Sequence, residues 1–141
     1  MRLQEKLDAP ANGVVVLNAR DITAQRALEE RLKYQASHDA LTGLLNRAAL
    51  MEEVERVRVR ATAEGKELAV LFVDLDGFKA VNDDCGHAVG DDTLRDIAQI
   101  LMKHSRGINV VSRYGGDEFA ILLVETSKAG ARLYADRIRQ V

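Results

Sequence analysis

Val110 to Val124 reads V-V-S-R-Y-G-G-D-E-F-A-I-L-L-V, two apolar runs flanking the pair Gly115-Gly116. This pattern predicts a β-hairpin whose tip projects out of the core, and the remaining elements must be arranged to cover its arms. Directly after the turn stand two acids, Asp117 and Glu118. Side chains alternate faces along a strand, so these carboxylates serve one site only if the turn bends the backbone between them. Taken alone, the tip favours a solvated polar turn.

A second strand is predicted at Ala69–Val73, apolar on both faces as a central strand covered on two sides would be. It runs into Asp74-Leu75-Asp76-Gly77-Phe78-Lys79. An acid where a buried strand emerges is placed either to meet a metal or to cap the next helix. The stretch Ala80–Asp92 is polar and reads as turn-rich, lying between a short helix and a longer one that starts near Asp92 and carries Leu94, Ile97, Ala98, Leu101 and Met102 inward. Asn82 and Asp91 have the hydrogen-bonding shapes that guanine requires, though by themselves they read as caps and loop residues. His87 alone reads as a structural histidine, and Cys85 as a packing residue.

Upstream, Asn46 caps a helix to about Ala63 with Leu50, Val54 and Val57 inward, after a break at Gly43. Asp21 or Thr23 caps a helix through Ala36 whose apolar stripe, Ile22, Leu28, Leu32 and Ala36, is narrow. That stripe suits either a two-helix coiled coil or a surface helix on its own domain. Gly13–Ala19 reads as a short strand without a neighbouring partner. Beyond the hairpin, Ala129, Leu133, Ala135 and Ile138 begin a last amphipathic helix.

With a net charge of −2 and both signs interspersed, the chain has no basic field for nucleic acid. A single cysteine allows no internal disulfide, and no apolar run approaches a membrane span, so a cytoplasmic setting is expected. At 141 residues there is room for one domain with a linker.

R-Y-G-G-D-E-F followed by A-I-L-L resembles the signature of the GGDEF family, the diguanylate cyclases that join two GTP into cyclic di-GMP. Three further strings fit the same family: D-A-L-T-G-L-L-N-R from Asp39, D-L-D-G-F-K from Asp74, and N-D-D-C-G-H-A-V-G-D from Asn82. The resemblance implies an α/β (α+β) domain, a mainly antiparallel palm-like sheet with flanking helices. It implies Mg²⁺, with Mn²⁺ as a substitute, on Asp74, the Leu75 carbonyl, Asp117 and Glu118. Asp117 and Glu118 take the catalytic positions, with Asp117 helping to remove the proton of the attacking 3′-hydroxyl, and Asp76 supports the turn. Lys79 approaches the phosphates, Asn82 and Asp91 bind guanine, His87 lines the nucleotide pocket, and Gly115 and Gly116 let the nucleotide lie close to the backbone.

Each domain then holds one GTP half-site, and two must meet antiparallel in a homodimer, which the N-terminal helix would pair. Arg106 and Asn109 occupy an R-x-x-D product-inhibition position with the acid replaced, so feedback is expected to be degraded. G-V-V-V-L-N-A-R-D-I-T resembles the exit of a PAS sensor domain, giving an expected layout of a PAS-like remnant at 1–20, a signalling helix at 21–38, and the GGDEF domain at 39–141. In the family a further strand and helix with basic residues follow; residues up to Val141 do not include them, so the domain is expected to be incomplete at its C-terminus and weakly active or inactive as it stands. The expected activity is diguanylate cyclase; the alternative is an inactive module that binds GTP or cyclic di-GMP, or that dimerises.

Overall fold

A computed structural model describes the backbone of residues 3–8 and 16–20 and all of residues 21–141. The chain divides into two units, residues 1–36 and 37–141.

In the first unit, β1 (Leu3–Asp8) pairs antiparallel with β2 (Val16–Asp21), from Leu3 opposite Asp21 to Asp8 opposite Val16. The strand expected at Gly13–Ala19 therefore has a partner after all, although its first three residues lie outside the described ones. β1 was not legible because L-Q-E-K-L-D carries almost no apolar alternation. Helix α1 (Thr23–Ser37) starts where the Asp21 carboxylate accepts the Thr23 N–H at 2.9 Å. Leu28 and Leu32 on its stripe are more than half exposed.

The second unit is a three-stranded antiparallel sheet in the order β3 (Leu68–Asp74), β5 (Glu118–Val124), β4 (Val110–Arg113). Every residue of β5 from Phe119 to Val124 is buried, and alternation sends them to two cores. Phe119, Ile121 and Leu123 meet Leu94, Ala98 and Leu101 of α4 (His87–His104) and Tyr134 of α5 (Lys128–Arg139). Ala120, Leu122 and Val124 meet Leu50 and Val57 of α2 (Arg47–Glu64). Asn46 caps α2 by accepting the Ala49 N–H at 3.0 Å, and Gly65 ends it at φ 66°, a left-handed turn that favours glycine.

Several expectations are corrected. β3 is an edge strand among the described residues, and β5 is the central one. One face of β3 is packed along its length and the other only at Leu68, because α2 crosses β4 and β5 and leaves Val70 and Phe72 exposed. The stretch read as turn-rich is helical almost throughout. α3 (Phe78–Cys85) and α4 are separated by Gly86 alone, at φ 88°. Cys85 is exposed rather than packed. The break before α2 comes at Ser37, ahead of Gly43, which takes φ 72° in the turn that follows. In α5 the inward face is Ala131, Tyr134 and Ile138, while Leu133 is 72% exposed.

Candidate functional site

The hairpin tip is not a two-residue turn. Neither Gly115 nor Gly116 is among the glycines with positive φ, and the Glu118 carbonyl accepts both the Tyr114 N–H at 2.8 Å and the Gly115 N–H at 3.1 Å. Two residues facing one is the pattern of a β-bulge, which bends the strand where it leaves the sheet. A Cβ on Gly115 would collide with a carboxylate oxygen of Glu118, so the absence of a side chain there makes room for that acid. A Cβ on Gly116 would meet nothing within 4 Å, so that side of the tip is open.

The bend parts the two acids. Glu118 is exposed and is the cross-strand partner of Asp74, at the matching ends of β5 and β3. Asp117 is half-buried and lines a hollow of about 310 Å³ together with Lys79, Asn82, His87, Asp91, Arg113 and Gly116, over a floor of Phe78 and Leu94. Six of the residues singled out from sequence thus face one space. Asp74 and Leu75 line a neighbouring hollow of about 530 Å³, mostly apolar, beside Leu71, Val73, Ile97 and Ile138.

Two helices meeting at Gly86 build the pocket wall. Asn82 lies in the last turn of α3, where its carbonyl accepts the Gly86 N–H at 2.9 Å. Its side chain rests on the buried Gly90 of α4, where a Cβ would overlap the amide oxygen and stand 2.9 Å from Cγ. Asp91 follows Gly90 directly, so one helical turn brings the amide and the carboxylate to the same hollow. Gly90 was missed as a site residue, although it stands inside the string that carries Asn82 and Asp91.

Asp39 and Arg113 were also missed. Arg113 donates from Nε and Nη2 to the Gly116 carbonyl at 3.2 and 2.8 Å, and from Nη1 to both Asp39 oxygens at 3.1 and 3.2 Å. Burial pushes the Asp39 carboxyl up, but hydrogen bonds from the Thr42 hydroxyl and N–H and the pairing with Arg113 outweigh it, and the group sits below the ordinary carboxylate range. The signal that could have found them was their place in the D-A-L-T and R-Y-G-G-D-E-F strings.

The acids at the strand ends offer oxygen donors only, a set that suits a hard dication such as Mg²⁺ or Mn²⁺. Asp74 and Glu118 stand opposite each other, and the Leu75 carbonyl accepts one N–H, from Phe78 at 3.3 Å, leaving a lone pair. Among the described residues no three His, Cys, Asp or Glu side chains converge closely enough to form a closed cage. Asp74, Asp117 and Glu118 are thus not gathered into one ligand set.

Arg106 and Asn109 lie at the other end of β5. Arg106 donates to the Val124 carbonyl and the Thr126 hydroxyl, both at 2.7 Å, and the Asn109 Oδ1 accepts the Val124 N–H at 3.1 Å. Both are engaged in holding the end of that strand.

The family description "Diguanylate cyclase, GGDEF domain" matches residues 36–141. The chain belongs to the GGDEF family. This GGDEF domain is 42% identical over 123 residues to the probable diguanylate cyclase DgcE of Escherichia coli K12, covering 87% of this chain and 11% of that protein. It is 40% identical over 119 residues to the diguanylate cyclase DgcM of the same strain, covering 84% of this chain and 29% of that one. The chain thus spans less than a third of either curated relative. Among solved structures, the coiled coil and GGDEF domain of DgcB from Caulobacter crescentus, in complex with c-di-GMP, superposes with a TM-score of 0.78 at 28% identity, covering 83% of this chain and 61% of that one. The mixed helical and antiparallel fold expected from sequence is that of the family. The family match begins at residue 36 and does not cover the PAS-like stretch.

Proposed function

We propose that this GGDEF domain is the catalytic unit of a diguanylate cyclase, condensing two GTP into cyclic di-GMP with release of two pyrophosphates. In each step the 3′-oxygen of one GTP bonds to the α-phosphorus of the other, the bond to the β-phosphate bridging oxygen breaks, and the hydroxyl proton leaves. The observation that carries this reading is the single hollow lined by Lys79, Asn82, His87, Asp91, Gly116 and Asp117. Asn82 and Asp91 match the donor and acceptor edge of guanine: the carboxylate accepts from N1–H and the exocyclic amine, and the amide both donates and accepts. Lys79, one turn earlier on α3, presents a cation to phosphate. Gly116, with open space above it, lets a nucleotide approach the backbone. Asp117, half-buried at the tip, holds the proton of the attacking hydroxyl.

Asp74, the Leu75 carbonyl and Glu118 would hold Mg²⁺, or Mn²⁺ in its place, with Asp117 contributing from the neighbouring hollow; when bound the ion neutralises the triphosphate and makes the 3′-hydroxyl more acidic. One hollow accommodates one GTP, so two domains must face each other antiparallel. The exposed Leu28 and Leu32 of α1 support pairing of two chains through that helix. No described helix is long and apolar enough to cross a membrane, and GTP as substrate supports a cytoplasmic setting.

Incubating the chain with GTP and Mg²⁺ and measuring cyclic di-GMP tests this, beside Asp117→Ala and Glu118→Ala. Product from the wild type and none from either variant is expected. GTP bound at high protein concentration without product would refute it and leave a binding module.

A further inference from the structure

We propose that Asp39 and Arg113 are positioning residues that set the shape of the hairpin tip. The inference rests on the cyclase reading for its kinetic consequence, but its structural content stands apart from it. A Cβ built on Gly116 would meet nothing within 4 Å, so no packing against its α-carbon fixes the tip. What fixes it is the Gly116 carbonyl, gripped by two nitrogens of Arg113. The far edge of the same guanidinium is held by both oxygens of Asp39, 74 positions earlier in the chain.

Asp39 is fixed in turn. It accepts the Thr42 N–H at 2.9 Å and the Thr42 hydroxyl at 2.8 Å, and its own N–H donates to the Leu44 carbonyl at 2.8 Å. The Arg113 N–H donates to the Leu45 carbonyl at 3.0 Å, tying the same turn to β4. Both side chains of the pair are mostly buried, at 16% and 23% exposure. A fork of fixed geometry on a desolvated carboxylate holds direction as well as charge. The residue after the gripped carbonyl is Asp117, so a rotation of the Gly116 peptide moves that carboxylate directly. Pairing with Asp39 also balances the Arg113 charge, which makes the arginine a strut of the pocket wall and not a phosphate clamp.

Asn82 and Asp91 sit on α3 and α4, which do not depend on this link. Breaking it therefore separates turnover from binding. In Asp39→Ala and Arg113→Ala, kcat is expected to fall about 10- to 100-fold, the cost of misplacing a reacting group by about an ångström. The Kd for GTP should change by less than about 3-fold, within the scatter of a neutral change. The double variant should match Arg113→Ala in kcat and tip exchange, because Asp39 reaches the tip only through the arginine. Arg113→Lys keeps the charge but loses the fork, and is expected to resemble Arg113→Ala.

Amide hydrogen exchange at Tyr114 and Gly115 reads the same link without catalysis. It should accelerate at least about tenfold in the variants while Ile121 and Leu122 in the core stay protected. Asp39→Asn, which keeps the Thr42 bonds, serves if Asp39→Ala does not fold. Faster tip exchange in a chain whose wild type makes no product would leave the positioning role standing and remove the cyclase reading. An active wild type whose variants show unchanged kcat and unchanged tip exchange would overturn the positioning role, as would losses that add in the double variant.

Discussion

Gly90→Ala is expected to weaken nucleotide binding while leaving stability almost unchanged. Gly90 is buried in α4, and its added methyl would overlap the Asn82 amide. Alanine in a helix interior is favoured over glycine by about 1 kcal/mol. Overfilling a packed site costs about 1–3 kcal/mol, and the low end applies because the atoms met are the end of a rotatable side chain. The two effects offset, so the unfolding free energy in urea should move by less than about 1 kcal/mol. Affinity has no such offset. An Asn82 side chain turned away leaves a guanine edge without its partner, about 1–3 kcal/mol, or roughly 5- to 150-fold in Kd. Titration calorimetry with a non-hydrolysable GTP analogue measures it directly. The decisive control is the Asn82→Ala background. There the methyl finds room, so Gly90→Ala should stabilise by about 1 kcal/mol and cost no further affinity. Unchanged affinity in Gly90→Ala, or an equal loss in the Asn82→Ala background, would refute the assignment of Asn82 to guanine through Gly90.

Asn46→Ala removes the α2 cap and should cost about 1 kcal/mol in a urea melt, with GTP binding intact because α2 packs on the opposite face of the sheet. Asp39 carries an acid-stability signature: its folded pKa lies below the unfolded value, so its contribution is complete above about 4 and is lost as pH falls through the lower folded value. Unfolding curves at pH 7, 4 and 3 should therefore fall more steeply for the wild type than for Asp39→Asn. Product feedback is expected to be absent. With Arg106 and Asn109 both holding the end of β5, initial rates should not fall when cyclic di-GMP is added, as a steady-state assay would show.

What could be read from sequence was what depends on neighbours in the chain. The arms of the hairpin, the Asn46 cap and most inward residues of α2 and α4 follow from local pattern and stand where they were expected; Met102 does not, being 56% exposed one position past the buried Leu101. Local pattern failed where the deciding contact was distant. Ala69–Val73 has the composition of a central strand, yet only the placement of α2 decides that Val70 and Phe72 remain uncovered. Ala80–Asp92 has the composition of a loop, and it is helical because its Asn, Asp and Gly residues sit on exposed or functional faces where helix propensity is a weak constraint.

The candidate site divides along the same line. Its helical half is local: Asn82, His87, Gly90 and Asp91 fall within one helix–helix junction, so spacing alone brings them together. Its acidic half is not. Asp74 meets Glu118 only because β3 and β5 pair in one register, and a slip of one residue would send either carboxylate to the opposite face. The tip adds a second long-range constraint, since the Arg113 guanidinium that orients the Gly116 carbonyl is itself anchored at Asp39, 74 positions away. A pocket assembled this way can recognise a base with its rigid helical wall while its acids depend on the sheet and one buried ion pair. Substitutions in the two halves should accordingly separate binding from turnover.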